Sequence, residues 1–157
     1  MNLSDIMSML DWNLPSDVQL RGRQLAIECG EIEPFIQPIT QMHNKNVWDN
    51  CALILSNKSD EELKPYLPEL LKWLQDLNWP GSIIVLNRLK HFSFEKLIFP
   101  LTQCVSCIDE SSDFNQAKWL YNLSELLEIS ELKLHISKEV LERLTAIRKD
   151  FEESYGE

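Results

Sequence analysis

The sequence contains little glycine and few stretches in which apolar and polar residues alternate as they do in β-strands. Only four of its 157 residues are glycine. Leucine, glutamate and lysine, which favour helices, are plentiful. These features exclude a mainly β architecture. They predict an all-α fold in which residues 1–157 form a single domain.

Basic residues are also scarce. The chain has 15 lysines and arginines against 25 aspartates and glutamates, for a formal charge of −10, and no basic run interrupts this excess. Binding to nucleic acid or to an anionic membrane requires basic side chains that neutralise phosphates, so both classes of partner are disfavoured. The expected partner is another protein, preferably a basic one.

No long hydrophobic run is present. The longest, Ile83-Ile84-Val85-Leu86, is far shorter than the roughly 20 residues of a membrane-spanning helix. Residues Met1 to Leu10 carry no lysine or arginine, so the charged start of a secretory signal is missing. These absences predict a cytoplasmic protein whose four cysteines stay reduced.

Tryptophans recur beside turn-forming residues, as if the chain were a tandem repeat. Trp12, Trp48 and Trp79 lie 36 and 31 residues apart, and each is followed 20 to 26 residues later by a proline among apolar residues. Such self-similarity is typical of stacked helical repeats, here with Trp119 opening a degenerate fourth unit. The sequence predicts a short right-handed stack of antiparallel helical hairpins, with an irregular helical bundle as the alternative. The prolines expected near the start of each second helix are Pro38, Pro68 and Pro100.

Several helix ends can be placed from capping residues. Ser16–Gln19 and Ser59–Glu62 both match the capping box, in which two side chains satisfy free backbone amides reciprocally. Ser137 is a third candidate cap, at the start of an amphipathic helix that runs to about Ser154. Gly30 is expected to end the helix that Ser16 begins, because glycine readily adopts the left-handed conformation there.

Two segments carry a resemblance to a known family. They are Asn46–Leu55 and Ser59–Gly81, and the second contains the distinctive run Trp73-Leu74-Gln75-Asp76-Leu77-Asn78-Trp79-Pro80-Gly81. The chain resembles, from about Leu10 to Pro100, small bacterial proteins described as domain of unknown function 5071. The helical extension at about 110–157 lies outside this resemblance. The family implies no catalytic or binding residues.

The hairpin pattern is also similar to HEAT-like repeats. This similarity is an analogy of fold, and it implies a protein-binding scaffold without fixing a function.

The cysteines include one formal motif, Cys104-Val105-Ser106-Cys107. This spacing suits a thiol redox pair when it opens a helix after a strand, and zinc would need two further ligands. Here a predicted helix is already under way, so the favoured interpretation is structural thiols, with the redox pair and the metal site as alternatives. Cys29 and Cys51 are expected in the core. No cofactor or metal is predicted.

The tryptophan turns are the candidate binding site. Their Asp and Asn side chains can bond local backbone amides and fix a turn. The tryptophans themselves either pack between hairpins or form a binding ridge, since tryptophan is enriched at binding hot spots. Asn44 or Asn46 is expected to cap the helix of Trp48, and Asp109–Asp113 is expected to be a solvated acidic connector or a contact for a basic partner. The candidate ridge residues are Trp12, Asn13, Trp48, Asp49, Asp76, Asn78 and Trp79.

The favoured functional hypothesis is a non-catalytic protein-binding module with an acidic surface. A toxin-neutralising immunity protein is a special case of it, and a small-molecule ligand stays open. The alternative hypothesis is a hydrolase-like enzyme, with a cleft in which Asp49 and Asp76 act with His43 or His91.

Overall fold

The computed structural model describes residues 2–38 and 44–155, with only the backbone of residue 155. Within these ranges all regular secondary structure is helical, which confirms the all-α prediction, and none of the helices is long and apolar enough to cross a membrane. Short 3-10 segments occupy Glu33–Phe35, Lys45–Val47, Lys64–Tyr66, Trp73–Gln75 and Ser124–Glu128. The α-helices are α1 (Leu3–Ser8), α2 (Ser16–Cys29), α3 (Trp48–Ser56), α4 (Asp60–Leu63), α5 (Leu67–Lys72), α6 (Ser82–Lys90), α7 (Phe94–Ser106), α8 (Phe114–Leu123), α9 (Ser130–His135) and α10 (Lys138–Tyr155).

Two of the predicted helix caps are confirmed. The Ser59 hydroxyl accepts from the Glu62 amide and the Glu62 carboxylate accepts from the Ser59 amide, both at 3.1 Å, so the capping box opens α4. The Ser137 hydroxyl accepts from the Val140 amide at 3.3 Å, immediately before α10. Local sequence alone fixes these two helix starts.

The capping box predicted at Ser16 is wrong. Helix α2 already includes Ser16, and Pro15 occupies the cap position without a side-chain hydrogen bond. Gln19 is engaged elsewhere, because its amide nitrogen donates to the carbonyl of Leu14 at 2.6 Å and its amide oxygen accepts from Asn50 at 3.0 Å. The helix therefore begins one residue earlier than predicted, and the Gln19 side chain bonds the preceding loop and α3 instead of the cap. The predicted end is confirmed, since Gly30 follows α2 with φ of 73°.

Proline marks the second helix of a hairpin less regularly than predicted. Pro68 lies in the first turn of α5, as expected. Pro100 lies inside α7, which begins at Phe94, so the prediction of a helix start at Pro100 is wrong. Because proline has no N–H, the carbonyl of Lys96 lacks the usual helical donor four residues on. Pro38 is the last described residue before the gap, and the predicted apolar neighbour Ile39 lies outside the described residues.

A turn of one kind recurs every 32 or 33 residues. In each, an Asp or Asn side-chain oxygen accepts from the backbone amide two residues on, at 2.8 to 3.1 Å. Each turn precedes a longer helix, α2, α3, α6 or α8. The regular spacing therefore belongs to these turns more than to the tryptophans. The four pairs are Asp11 with Asn13, Asn44 with Asn46, Asp76 with Asn78, and Asp109 with Ser111.

Helices of successive segments lie side by side in the same direction. Helix α3 contacts α6, and helix α5 contacts α7. The polar contacts between these segments join residues 30 to 35 positions apart, close to the spacing of the turns. The core fills the space between these helices as one cluster of buried side chains. The polar contacts in this register are Asp49 with Gly81, Lys58 with Arg88, Asp60 with Ser93, and Glu61 with Lys96.

Asp60 joins the start of α4 to the end of α6 and the start of α7. Its carboxylate accepts from Arg88 at 2.7 Å and from the Ser93 amide at 3.0 Å. Partial burial raises its pKa, but the hydrogen bonds and the charge of Arg88 outweigh this and hold the pKa below the usual value of 3.8. The unfolded chain has the usual pKa of 3.8 and the folded protein has the lower one. The ionised Asp60 carboxylate therefore stabilises the folded state fully above pH 3.8, and this stabilisation is lost as the pH falls through the folded-state pKa.

Asp60→Asn is therefore expected to lower the free energy of unfolding at neutral pH by about 1 kcal/mol, since the pair stays partly hydrated. It should also flatten the loss of stability in acid. Denaturant unfolding from about pH 7 to about pH 3 measures both effects. Asp17→Asn, at an exposed position of α2, is the control. A variant whose acid dependence matches that of the wild type would contradict this role of Asp60.

Candidate functional site

The run from Trp73 to Gly81 folds back on itself at the start of α6. Trp73 is fully buried, and its indole Nε1 donates to the carbonyl of Pro80 at 3.0 Å. The hydroxyl of Ser82, the first residue of α6, donates to the carbonyl of Trp73 at 2.8 Å. These two bonds tie Trp73 to Pro80 and Ser82. The run from Trp73 to Gly81 therefore forms the connection between α5 and α6, which we call the joint.

Trp48, Asp49 and Trp79 meet at this joint. The Trp48 ring packs edge-on against Trp73 and Trp79, with ring centroids 6.1 and 5.8 Å apart. The Asp49 carboxylate accepts from the Gly81 amide at 2.6 Å. Trp48 is only 5% exposed, so the packing interpretation holds for this tryptophan. Lys45 places its ammonium 5.6 Å from the Trp48 ring and 5.8 Å from the Trp79 ring.

The other candidate ridge residues lie at two of the recurrent turns. Asp76 accepts from the Asn78 amide at 2.9 Å and pairs with Lys118 at 3.4 Å, while Asn78 is exposed. At the first turn Asn13 is exposed, and Trp12 is 43% exposed although its amide donates to the carbonyl of Asn46. A binding role for the exposed members remains a prediction.

The residues of the hydrolase hypothesis are engaged in local structure. Asp49 and Asp76 each accept a backbone amide, as described above. His91 follows α6 on the surface, with Nδ1 2.9 Å from the carbonyl of Asn87. Over the part of the chain that the structure describes, neither carboxylate contacts His91, and no group of three His, Cys, Asp or Glu side chains is arranged to hold a metal. His43 lies outside the described residues.

The Cys-x-x-Cys motif lies at the end of α7, as predicted for a helix already under way. Burial, with a smaller contribution from Cys107, raises the pKa of the Cys104 thiol to about 12. Cys107 is exposed at the C-cap. Because the thiolate is the reactive form, Cys104 is a poor nucleophile at neutral pH.

Of the two cysteines expected in the core, one is there and one is not. Cys51 is buried, and burial raises its pKa to about 12. Cys29 is exposed, so that prediction is wrong. It is the last residue of α2, whose buried positions are Gly22 and Ala26, and its thiol donates to the carbonyl of Ala26 at 3.0 Å.

An apolar groove runs between α5 and α7. It contains a cavity of about 230 Å³ and continues into a wider cleft of about 700 Å³ that shares three of its wall residues, Pro68, Phe99 and Pro100. Phe99 is 71% exposed. The Trp119 indole donates to the carbonyl of Leu71 at 3.0 Å, which fixes its ring in the cavity wall. We call this surface the α5–α7 groove and define it by Pro68, Lys72, Phe99, Pro100, Cys107 and Trp119.

The groove is absent from the sequence-based predictions. Its walls come from α5, α7 and α8, so no single stretch of sequence reveals it. The available signal was local: Phe99-Pro100 and Pro68 both place proline among apolar residues. That pattern predicts helix starts. It does not predict the two walls of a groove, because the sequence does not show that α5 and α7 lie side by side.

These features define the class of the protein as an all-α chain with a fixed apolar groove between parallel helices. The family described as domain of unknown function (DUF5071) matches residues 42–155, and the chain belongs to it. The match includes the segment after Asp109, which the resemblance noted in the sequence left out, and begins after α2. Neither the curated proteins nor the solved structures gave a match.

Proposed function

We propose that the protein is a non-catalytic module that binds another protein through the α5–α7 groove. In this proposal the helices form a HEAT-like stack of antiparallel hairpins. The turns that recur every 32 or 33 residues and the parallel contacts of α3 with α6 support the stack. Parallel neighbours at a constant interval are what repeated hairpins produce when they stack.

The observation that carries the proposal is the exposure of Phe99 beside a fixed cavity. An aromatic side chain that is 71% exposed loses favourable burial, which a bound partner would restore. The cavity alone, at about 230 Å³, is smaller than the roughly 300 to 1,000 Å³ of small-molecule sites. The cleft of about 700 Å³ that continues it has charged walls, formed by Glu61, Lys64, Glu95 and Lys96. The cavity suits one side chain of a partner, and aromatic walls are typical of the anchoring pockets of protein interfaces.

The charge of the protein favours a basic partner. A net charge of −10 accelerates the association of a cationic protein at low ionic strength. A cytoplasmic immunity protein that neutralises a basic toxin is one case of this function. The structure offers no specific observation that favours the hydrolase over it.

Phe99→Ser is expected to weaken partner binding by at least tenfold, because it removes the apolar contact at the centre of the groove. The folded state should change little, since the side chain is mostly exposed. The measurement is affinity capture from native cell extract by the immobilised protein at low salt, followed by quantification of each retained protein. Ile83→Ser on α6 is the matched control, because Ile83 is also an exposed apolar residue, at 49%.

The proposal predicts basic proteins that are retained by the wild type and by Ile83→Ser and lost with Phe99→Ser. Equal retention by all three proteins would contradict a role for the groove. Retention of nothing, together with turnover of a metabolite in an activity screen, would contradict the binding function itself.

A further inference from the structure

We infer that the α5–α7 groove recognises a segment in which a large apolar side chain stands within a few residues of a lysine or arginine. The apolar side chain enters the cavity beside Phe99 and Trp119, and the cation faces the acidic loop Asp109–Asp113. This inference rests on the proposed function and specifies the chemistry of its partner.

The walls of the cavity favour an apolar anchor without hydrogen-bonding groups. The one donor of the Trp119 side chain is already bonded to the carbonyl of Leu71. The Cys104 thiol stays protonated and is only a weak donor. The ammonium of Lys72, at the edge, lies 3.3 Å from the Glu69 carboxylate. Gln103 also lines the cavity, but almost all of the surface that the walls present to it is apolar. A buried polar group would therefore lose its water and find few partners, whereas an apolar side chain loses nothing there.

The acidic loop begins where the cavity ends. Asp109 follows the wall residue Cys107 by two positions, so their α-carbons lie within about 7 Å of each other. Asp109 accepts from the amide and hydroxyl of Ser111 at 3.1 and 2.6 Å, and Asp113 accepts from the Gln116 amide at 2.8 Å. These bonds hold both exposed carboxylates in place.

The cations nearby leave this loop negative. Arg143 pairs with Glu110 at 2.7 Å, and it also donates to the carbonyls of Val105 and Ile108 at the end of α7. Over the described residues, Asp109 and Asp113 form no salt bridge. The hydrogen bonds from Ser111, and more weakly the charge of Arg143, lower the pKa of Asp109. The loop therefore keeps an excess of negative charge within a few residues of the groove wall at Cys107.

The opposite end of the groove has no excess of negative charge. Its cleft contains Glu61, Lys64, Glu95 and Lys96, and Lys96 pairs with Glu61 at 3.0 Å. Two acidic and two basic side chains there give no net attraction for either sign. Because the negative charge lies at one end of the groove only, we expect the cation of the partner at the end near Cys107.

The test is selection of a random peptide library, displayed on phage, against the folded 157-residue protein. Phage that also bind Phe99→Ser are removed, and an enriched peptide is synthesised for affinity measurements. The key variant is the double substitution Asp109→Asn with Asp113→Asn, which removes two charges but keeps the side-chain oxygens that fix the turn and cap α8. The control is Asp17→Asn with Glu28→Gln, which removes two charges from exposed positions of α2.

The expected consensus is a large apolar residue with lysine or arginine within a few positions. At low salt the affinity of the enriched peptide should be about threefold to tenfold lower for the Asp109→Asn, Asp113→Asn protein than for the wild type, and unchanged for the α2 control. At high salt the double variant and the wild type should bind the peptide equally well. Enriched peptides without a basic residue, or with equal affinity for the double variant, would overturn the inference and leave groove binding standing. No enrichment that depends on Phe99 would overturn both.

Discussion

Gly81→Ala is expected to lower the free energy of unfolding by about 2 to 5 kcal/mol, because a backbone penalty and an overpacking penalty add at this position. Gly81 has φ of 80°, where a side chain costs about 1 to 2 kcal/mol. A Cβ atom there would lie 2.7 Å from the carbonyl oxygen of Trp48 and 2.8 Å from Cζ2 of Trp73. Neither can move easily, because one belongs to the backbone and the other to a buried, hydrogen-bonded ring.

Gly30→Ala is the matched control, measured by the same denaturant unfolding experiment. Gly30 has φ of 73°, but no atom lies within 4 Å of the position of a Cβ. Alanine there should cost only the conformational penalty, about 1 to 2 kcal/mol. If both variants lose the same stability, the close packing of Trp48 and Trp73 around Gly81 is not what fixes glycine at this joint.

Trp48→Ala is expected to cost about 3 to 5 kcal/mol, as large-to-small changes of buried aromatic residues do. The indole fills the space between Trp73 and Trp79, and the smaller side chain would leave a cavity at the joint. Thermal or denaturant unfolding gives the magnitude. The result separates the two interpretations of the turn tryptophans, because a residue that serves only to bind a partner can be removed without this loss.

Trp12→Ala is the comparison for Trp48→Ala. Trp12 is 43% exposed, so its removal should cost about 1 kcal/mol or less. A loss from Trp12→Ala as large as that from Trp48→Ala would contradict the distinction between a packed and an exposed tryptophan. A small loss from Trp48→Ala would show that the joint is not held by its aromatic residues.

The sequence was most informative where structure depends on neighbouring residues. The capping box of Ser59 and Glu62 and the stop at Gly30 involve atoms no more than a few positions apart, and they form as predicted. The Asx turns are local in the same way. The box expected at Ser16 does not form, because the helix begins one residue earlier, after Pro15. The Gln19 side chain instead bonds the Leu14 carbonyl and Asn50, which lies 31 residues away.

The candidate site depended on contacts that no local pattern contains. In the sequence Trp48 and Trp79 both stand beside a turn. The burial of Trp48 depends on its contacts with Trp73 and Gly81, which are distant from it in the sequence. The α5–α7 groove requires α5, α7 and α8 to be placed relative to one another. From the sequence Phe99 is indistinguishable from a buried apolar residue of a helix. Only the folded structure shows that its side chain is exposed.

The central claim, that Phe99 anchors a partner protein in the α5–α7 groove, is tested most directly by titration calorimetry. A partner recovered by capture is purified and titrated into the wild type, Phe99→Ser and Ile83→Ser, after their unfolding free energies have been shown to agree. A loss of affinity of at least tenfold for Phe99→Ser, with Ile83→Ser unchanged, is the predicted result. Equal affinities for all three proteins would contradict the claim.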